Sequence, residues 1–218
     1  MRLTYYGHSS FLVETADGTR VILDPYRSGS YDGALRYAPI DETADMVIVT
    51  HEHADHDATD TIPGKPLVLV HPTSRTIDGL RITGVEVAHD EAGGSKRGRN
   101  TIVVLDDGDI RLAHLGDLGH LLDKAAIEAI GRVDVLLVPV GGFFTIDERE
   151  AAAVVDSLDP RIVIPMHYKT DDVDFPIAPV DGFLKTQADP DRSKTSTLEF
   201  TSQTLPKGRS TIVLSQAR

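Results

Sequence analysis

The sequence predicts a layered α/β domain, and three observations indicate it. The first half consists of short segments rich in β-branched and aromatic residues, bounded by Gly, Asp or Pro, which is typical of strands. The second half alternates apolar strand-like runs with amphipathic helical stripes. The chain has 218 residues, 40% of them hydrophobic, which suits one domain with a sizeable core. We therefore expect a single domain over residues 1–218, with its topology left open by periodicity alone.

Strands are predicted throughout the first half. They are Arg2–Tyr6, Ser10–Glu14, Arg20–Leu23, Asp45–Thr50, Leu67–Val70, Leu80–Ala88, Thr101–Leu105 and Ile110–His114. The continuous apolar run Met46–Val49 is typical of a strand that is covered on both faces. Asp106–Asp109 contains Asp-Gly between two of these strands, which predicts a hairpin.

Two helices follow from apolar stripes at helical spacing. The first stripe is Leu122, Ala126, Ala129 and Ile130, and it ends at Gly131, the expected stop residue. The second stripe is Ala151, Val154, Val155 and Leu158. Thr145, with Glu148 three residues later, predicts a capping box before this second helix. Further elements are predicted as strands at Val133–Val140 and Arg161–Met166, a helix at Val180–Gln187, and final strands near Leu198 and Ile212.

Composition excludes several classes of site and partner. The chain has no cysteine, so a metal site must use imidazole and carboxylate ligands. The formal net charge of −12 argues against a nucleic-acid partner. No run approaches the roughly 18 consecutive apolar residues of a membrane span. The N-terminal residues are too polar for a signal peptide, which predicts a cytoplasmic location.

The segment Thr50–Asp57 is the most informative part of the sequence. Directly after a predicted buried strand it places His51, His53, Asp55 and His56 within six residues. In extended backbone, residues two apart point to one side, so His51 and His53 can share one ion. Asp55 and His56 are adjacent and could serve a second ion. Imidazole and carboxylate suit Zn, Fe or Mn. The alternative is a His-rich surface loop without a ligand.

This motif resembles the signature of the metallo-β-lactamase superfamily. The other motifs follow in the order of that family: Leu23-Asp24-Pro25, Val87-Ala88-His89, Gly116-Asp117 and Met166-His167, so that the resemblance covers roughly residues 3 to 170. Further marks resemble the branch that includes L-ascorbate-6-phosphate lactonase and uncharacterised Zn-dependent hydrolases. These marks are Tyr6–Ser9, Gly116–Gly119 and Pro139–Thr145.

The resemblance implies a four-layer αββα sandwich and two divalent metal ions. Zn²⁺ is the expected ion, with Fe or Mn as alternatives. It implies that His51, His53 and His89 hold one ion. It places Asp55, His56 and His167 on the other ion, with Asp117 between the two. Relatives in this branch often assemble, so a homo-oligomer is a further expectation.

Three more polar residues are expected beside the ligands rather than among them. We expect His8 near the site without ligating. Asp24 should receive a hydrogen bond from a ligand imidazole or a backbone group. His114 lies in a predicted strand, so we expect it in the core or behind the ligands, although it precedes Asp117 closely.

A basic cluster, Ser95–Asn100, carries Lys96, Arg97 and Arg99. The favoured interpretation is a solvated loop, and the alternative is a contact with an anionic substrate at the mouth of the site. Tyr168 and Lys169, beside His167, are possible substrate contacts.

The resemblance to the lactonase branch implies hydrolysis of an ester, a lactone or a related bond in a small molecule, with hydroxide held between two metal ions as nucleophile. Asp55 is expected to orient the nucleophile or move its proton, and Asp117 to bridge the ions. Two alternatives remain: a phosphodiesterase for small or lipid-like substrates, and a non-catalytic metal- or ligand-binding protein on the same fold.

Overall fold

Two β-sheets pack face to face in the computed structural model, which describes residues 1–218. In the first half, the strands are β1 (Arg2–Gly7), β2 (Ser10–Glu14), β3 (Arg20–Leu23), β4 (Met46–Val49), β5 (Leu67–Val70), β6 (Arg75–Ile77), β7 (Leu80–Ala88), β8 (Arg99–Asp106) and β9 (Arg111–His114). In the second half, they are β10 (Val135–Pro139), β11 (Ile162–Met166), β12 (Asp191–Arg192), β13 (Thr197–Glu199) and β14 (Ser210–Val213). The helices are α1 (Ser30–Gly33), α2 (Lys124–Ile130), α3 (Glu148–Leu158) and α4 (Asp181–Leu184), with a 3₁₀ turn at Thr59–Thr61.

Both sheets are mixed. The six-stranded sheet has the order β13-β1-β2-β3-β4-β5, in which β3, β4 and β5 are parallel and the other pairs antiparallel. The eight-stranded sheet has the order β12-β14-β11-β10-β9-β8-β7-β6. Its first five strands are parallel, and β9, β8, β7 and β6 pair antiparallel. Hence β1, β3 and β4 run in one direction in the first sheet, and β7, β9 and β11 run in one direction in the second.

The central core lies between the sheets and comes from alternate residues of facing strands, such as Leu3, Ile48, Leu112 and Ile164. The opposite face of the eight-stranded sheet is covered by the apolar stripes of α2, α3 and α4. The longest of the helices, α3, has 11 residues. No helix combines the length and the apolar character needed to cross a membrane.

The outer face of the six-stranded sheet is covered by loop segments. Tyr26, Tyr37, Val173 and Ile177 pack there against β-strand side chains such as Val47. The predicted α/β sandwich with four layers is therefore confirmed, and in this layer irregular chain and the single turn α1 replace long helices. Burial of Met46–Val49 on both faces, as its apolar run predicts, is also confirmed.

The predicted capping box is wrong by two residues. Asp147, rather than Thr145, caps α3: its Oδ1 accepts from the N–H groups of Arg149 and Glu150, each at 2.9 Å. Glu150 completes the box by accepting from Asp147 N at 3.0 Å. The predicted helix over Val180–Gln187 is shorter, at Asp181–Leu184. The short polar strands β6 and β12 have no apolar alternation and escape sequence prediction.

Candidate metal centre

The loop after β4 folds into a tight turn that gathers its polar side chains. The N–H groups of His56 and Asp57 both donate to the carbonyl of His53, at 2.8 and 3.0 Å. This turn brings the side chains of His51, Asp55 and His56 back towards the strand end. The four predicted ligands of this loop therefore lie close together, as two groups.

The first group consists of His51, His53 and His89. One nitrogen from each imidazole lies within 4.8 Å of the others. His51 follows β4 and His89 follows β7, so the group joins one strand end from each sheet. His51 and His89 are buried, and His53 is partly exposed.

The second group consists of Asp55, His56 and His167, together with His8. One ligand atom from each of the four lies within 4.8 Å of the others, and all four residues are buried. His8 Nε2 lies 3.0 Å from Asp55 Oδ2, in a hydrogen bond. His8 is thus a contact partner of Asp55 and, by distance, a member of the group. Burial and the neighbouring His167 lower the pKa of His8 to about 4.

The carboxylate of Asp117 lies between the two groups. Its Oδ2 is 3.3 Å from His89 Nε2 in the first group and 3.3 Å from His167 Nε2 in the second. Its Oδ1 is 3.3 Å from His56 Nε2, and Oδ2 is also 3.7 Å from His51 Nε2. One carboxylate therefore contacts imidazoles of both groups, as expected of a residue that bridges two cations.

Asp24 holds the ligand loop from behind. Its carboxylate accepts from Thr50 N at 2.8 Å and Thr50 Oγ1 at 2.7 Å, and lies 2.9 Å from His56 Nδ1. Thr50 Oγ1 in turn lies 3.0 Å from His51 Nδ1. Asp24 therefore orients one imidazole of each group, directly at His56 and through Thr50 at His51.

Asn100 positions Asp117. Its side-chain oxygen accepts from Asp117 N at 3.1 Å, and its amide nitrogen donates to Leu115 O at 2.8 Å. Gly116, at φ +54°, passes close to this amide: a Cβ there would lie 2.2 Å from Asn100 Oδ1. Glycine is therefore needed at position 116, because a side chain there would collide with Asn100, and Asp117 supplies the carboxylate.

Three residues of the site adopt left-handed backbone at strand ends. His8, Asp24 and His167 have φ values of 53°, 44° and 51°. Such conformations are rare for non-glycine residues and cluster at functional sites. His167 N donates to His8 O at 2.9 Å, so the two sheets are joined at the site itself.

The buried charges compensate one another. Burial alone would lower the pKa of His56, but the carboxylates of Asp117 and Asp55 hold that pKa well above its ordinary value. Burial and His56 hold the pKa of His51 well below its ordinary value. Burial would raise the pKa of Asp117, yet His167 and His56 keep it well below the usual range. A cation at this point would therefore replace the proton of His56.

The donor set fits divalent metal ions. Three buried atoms meet here without a hydrogen bond of acceptable geometry, His51 Nε2, His56 Nε2 and Asp117 Oδ1, although the last two lie 3.3 Å apart. Buried polar atoms are almost always paired, so a cluster of unpaired ligand atoms indicates a bound cation. Imidazole nitrogens with carboxylate oxygens are the donors expected for Zn, Fe or Mn.

A cavity of about 480 Å³ opens over the centre. His53, Asp55, His89, Asp117 and His167 form its polar floor. The other lining residues are Tyr31, Ala34, Lys96, Arg97, Phe144 and Phe175. Lys96 and Arg97 of the basic cluster Ser95–Asn100 line this cavity, with Lys96 exposed to solvent and Arg97 partly buried.

Other candidates from the sequence lie elsewhere. Tyr168 is buried among the helices and the eight-stranded sheet, and Lys169 Nζ bonds Asp174, so neither lines the cavity. Arg99 pairs with Glu86 on the surface. His114 is buried: its Nε2 lies 2.8 Å from Ser9 O, and its Nδ1 accepts from Gly116 N at 3.0 Å, behind the ligands as expected.

Sequence reasoning missed the aromatic residues of the cavity wall and the supporting residue Asn100. Tyr31 lies on α1, where Tyr31 and Asp32 have φ values of 54° and 55°, and its hydroxyl donates to Asp55 Oδ1 at 2.9 Å. Phe144 and Phe175 come from irregular segments that carry no periodic signal. Asn100 had a visible signal, since it is a buried polar residue near the start of the otherwise largely apolar strand β8.

Residues 2–167 match the profile of the family described as the beta-lactamase superfamily domain. Among curated proteins, a UPF0173 metal-dependent hydrolase of Thermococcus kodakarensis is 33% identical, in a match that covers 78% of this chain and 85% of the relative. A UPF0173 protein of Pyrococcus furiosus is 35% identical, in a match that covers 78% of this chain and 84% of the relative.

Among solved structures, one from Thermotoga maritima superimposes with a TM-score of 0.82 at 37% identity. The match covers 98% of this chain and 97% of that chain. That protein is described as a candidate Zn-dependent hydrolase of the metallo-beta-lactamase superfamily.

Proposed function

The chain belongs to the beta-lactamase superfamily, and from that premise we propose that it hydrolyses an ester- or lactone-type bond of a small molecule with two divalent ions. Metal-dependent hydrolysis is the activity for which its relative from Thermococcus kodakarensis is named. The observation that carries the two-ion proposal is the position of Asp117, whose carboxylate contacts imidazoles of both groups.

The proposed ligands are three imidazoles, His51, His53 and His89, on one side of Asp117. On the other side they are Asp55, His56 and His167. We propose Zn²⁺ as the ion, because three imidazoles are a common catalytic zinc set. When bound, such ions supply a water of lowered pKa and a Lewis acid for the oxygen of the electrophile.

Residues of the chain orient the attacking water and hold the ligands in position. The Asp55 carboxylate lies in the cavity floor with Oδ1 bonded to Tyr31 and Oδ2 to His8, so its direction is fixed. We propose that Asp55 orients the attacking water by accepting a hydrogen bond from it. Asp24 and Asn100 keep the ligands in place during the reaction.

The cavity supports a small molecule as substrate. Its volume of about 480 Å³ lies within the range of small-molecule pockets. Three aromatic side chains, Tyr31, Phe144 and Phe175, line it beside the polar floor and favour a substrate with an apolar part.

The test combines metal analysis with a substrate panel. Wild-type protein should hold about two transition-metal ions per chain and should hydrolyse an aryl ester or a lactone faster than bis(4-nitrophenyl) phosphate. Asp117→Ala should lower metal affinity and activity more than a hundredfold, because mutation of residues that only hydrogen-bond to ligands already lowers them about 10–100-fold. Asp156→Asn, on the exposed surface of α3, is the control that should change neither.

Three outcomes would contradict the proposal. Full metal content in Asp117→Ala would remove the bridging role. Faster turnover of the phosphodiester would favour a phosphodiesterase. Tight binding of panel compounds without any turnover would favour a non-catalytic ligand-binding protein.

A further inference from the structure

The cavity has two chemically different walls above its polar floor. Tyr31, Phe144 and Phe175 form an aromatic wall: the ring centroids of Tyr31 and Phe175 are 5.3 Å apart, and those of Phe144 and Phe175 are 5.9 Å apart. Lys96 and Arg97 supply the only cationic side chains of the lining. In a chain with a formal net charge of −12, two neighbouring cations at a cavity are a local exception.

The loop that carries these cations is held by one buried carboxylate. Asp90 Oδ1 accepts from the N–H groups of Ala92 and Gly94, at 2.8 and 3.0 Å. Its Oδ2 accepts from those of Lys96 and Arg97, at 2.9 and 2.7 Å. Asp90 directly follows His89, so the backbone of the cationic pair is fixed relative to the centre.

The same loop is closed at its base. His89 N donates to Gly98 O at 3.0 Å, and Gly98 N donates to Gly94 O at 2.9 Å. Gly119 packs against it so closely that a Cβ would lie 2.3 Å from Asp90 N. These contacts fix the backbone of the loop beside the cavity.

Arg97 is directed across the loop to the aromatic wall. Its Nη2 donates to Phe143 O at 2.9 Å, and its Cζ lies 5.5 Å from the ring centroid of Phe144. No carboxylate lies within ion-pair distance of its guanidinium, whereas Lys96 pairs with Glu91. Arg97 is therefore a positioned, partly buried cation whose charge is not neutralised by the chain itself.

We propose that Arg97 forms a subsite for an anionic group of the substrate, a carboxylate or a phosphate. The substrate is then an ester or lactone with an apolar or aromatic body against Tyr31, Phe144 and Phe175 and an anionic group at Arg97. A guanidinium suits this task because its fork of donors matches planar oxyanions. The cleaved ester or lactone bond is taken from the proposed function, whereas the anion subsite is argued from the cavity alone.

A purely structural role for Arg97 makes a different prediction. If Arg97 only ties its loop to Phe143, its removal should affect charged and neutral substrates alike. If it binds an anion, its removal should affect only substrates that carry the anion. A pair of esters of similar size, one anionic and one neutral, separates the two.

The experiment compares 4-acetoxybenzoate with its neutral methyl ester, using metal-loaded protein. In both, water adds to the acetyl carbonyl, the bond to the aryl oxygen breaks, and acetate and the phenol are released. We expect Arg97→Gln to raise KM for the anionic ester about tenfold, equivalent to roughly 1.4 kcal/mol. The kcat for this ester, and both KM and kcat for the neutral ester, should stay unchanged. Arg97→Met, which keeps an apolar side chain over Phe144, should behave in the same way.

The matched control is Arg99→Gln, two residues away, because Arg99 is exposed and pairs with Glu86 outside the cavity. It should leave both esters unchanged. Equal effects of Arg97→Gln and Arg97→Met on the two esters, or no effect on either, would overturn the subsite.

Calorimetric titration with the products keeps the two proposals separable. If neither ester is hydrolysed, the proposed function fails for esters, and binding of 4-hydroxybenzoate against its methyl ester still tests the subsite. About tenfold weaker binding of the anion alone by Arg97→Gln supports the subsite. Unchanged binding of the anion by this variant overturns it.

Discussion

Asp24 connects both groups of ligands and does not line the cavity. It lies 2.9 Å from His56 Nδ1 and accepts two hydrogen bonds from Thr50, whose hydroxyl meets His51. Partners of this kind set the tautomer and the basicity of a ligand imidazole. At the residue scale, the centre therefore depends on a carboxylate that lies outside the cavity.

The replacement Asp24→Asn tests this dependence. Asparagine keeps the size of the side chain and removes the charge that orients His56, so we expect metal affinity to fall about 10–100-fold. Competition with a coloured chelator measures it. Asp134→Asn is the control, because Asp134 is equally buried and bonds Arg111 N far from the ligands. A loss of metal affinity as large in the control as in Asp24→Asn would contradict the role of Asp24.

The ligands and the cavity walls differ in how far the sequence predicts them. His51, His53, Asp55 and His56 are close in sequence, and the tight turn after β4 brings them together as expected. Tyr31 gives no such signal, because it reaches Asp55 only through a left-handed turn in an irregular segment. Local spacing predicts neighbours along the chain, whereas wall residues depend on loop conformation.

At the scale of elements, turns and caps determine where strands and helices end. The hairpin between β8 and β9 is predicted by its Asp-Gly and is present. Asp106 stabilises it, since its Oδ1 accepts from Gly108 N at 2.9 Å and its Oδ2 from Arg111 Nη1 at 2.9 Å. The cap of α3 was misplaced because Thr145 and Asp147 are both good caps in sequence, and only the backbone path selects Asp147.

The hairpin provides a pH-dependent prediction. Burial opposes the shift, but the N–H of Gly108 and the guanidinium of Arg111 hold the pKa of Asp106 below its ordinary value of 3.8. The folded carboxylate binds protons less readily than the unfolded one, so its contribution is present above about pH 4 and is lost as the pH falls further.

Asp106→Asn should therefore lower the melting temperature at pH 7 by roughly 2–4 °C, for about 1 kcal/mol of lost charged hydrogen bonding. The difference from wild type should shrink as the pH is lowered below about 4. Thermal melts of both proteins in the presence of EDTA, across this range, measure it. A difference that stays constant down to acid pH would contradict the assignment.

At the scale of the whole molecule, two sheets bring six strand ends to one place. His8, Asp24 and His51 follow β1, β3 and β4 in one sheet, whereas His89, Asp117 and His167 lie after β7, β9 and β11 in the other. Within each sheet these three strands run in the same direction, so the residues after them share an edge. Face-to-face packing of the sheets then places the two edges together.

Alternating apolar patterns make the two sheets and their common core predictable, since they depend on local periodicity. The layer over the six-stranded sheet is less predictable, because Tyr26, Tyr37, Val173 and Ile177 pack from irregular segments. The same segments supply Tyr31, Ala34 and Phe175 to the cavity. The substrate-binding part of the molecule is thus the part that sequence periodicity describes least.

The central claim is that Asp117 lies between two cations held by separate groups of side chains. Anomalous diffraction from a crystal of the metal-loaded protein tests it most directly. We predict two peaks, one among His51, His53 and His89 and one among Asp55, His56 and His167, with the Asp117 carboxylate between them. A crystal with ions bound only away from these side chains, or with a single ion that Asp117 does not contact, would contradict the account.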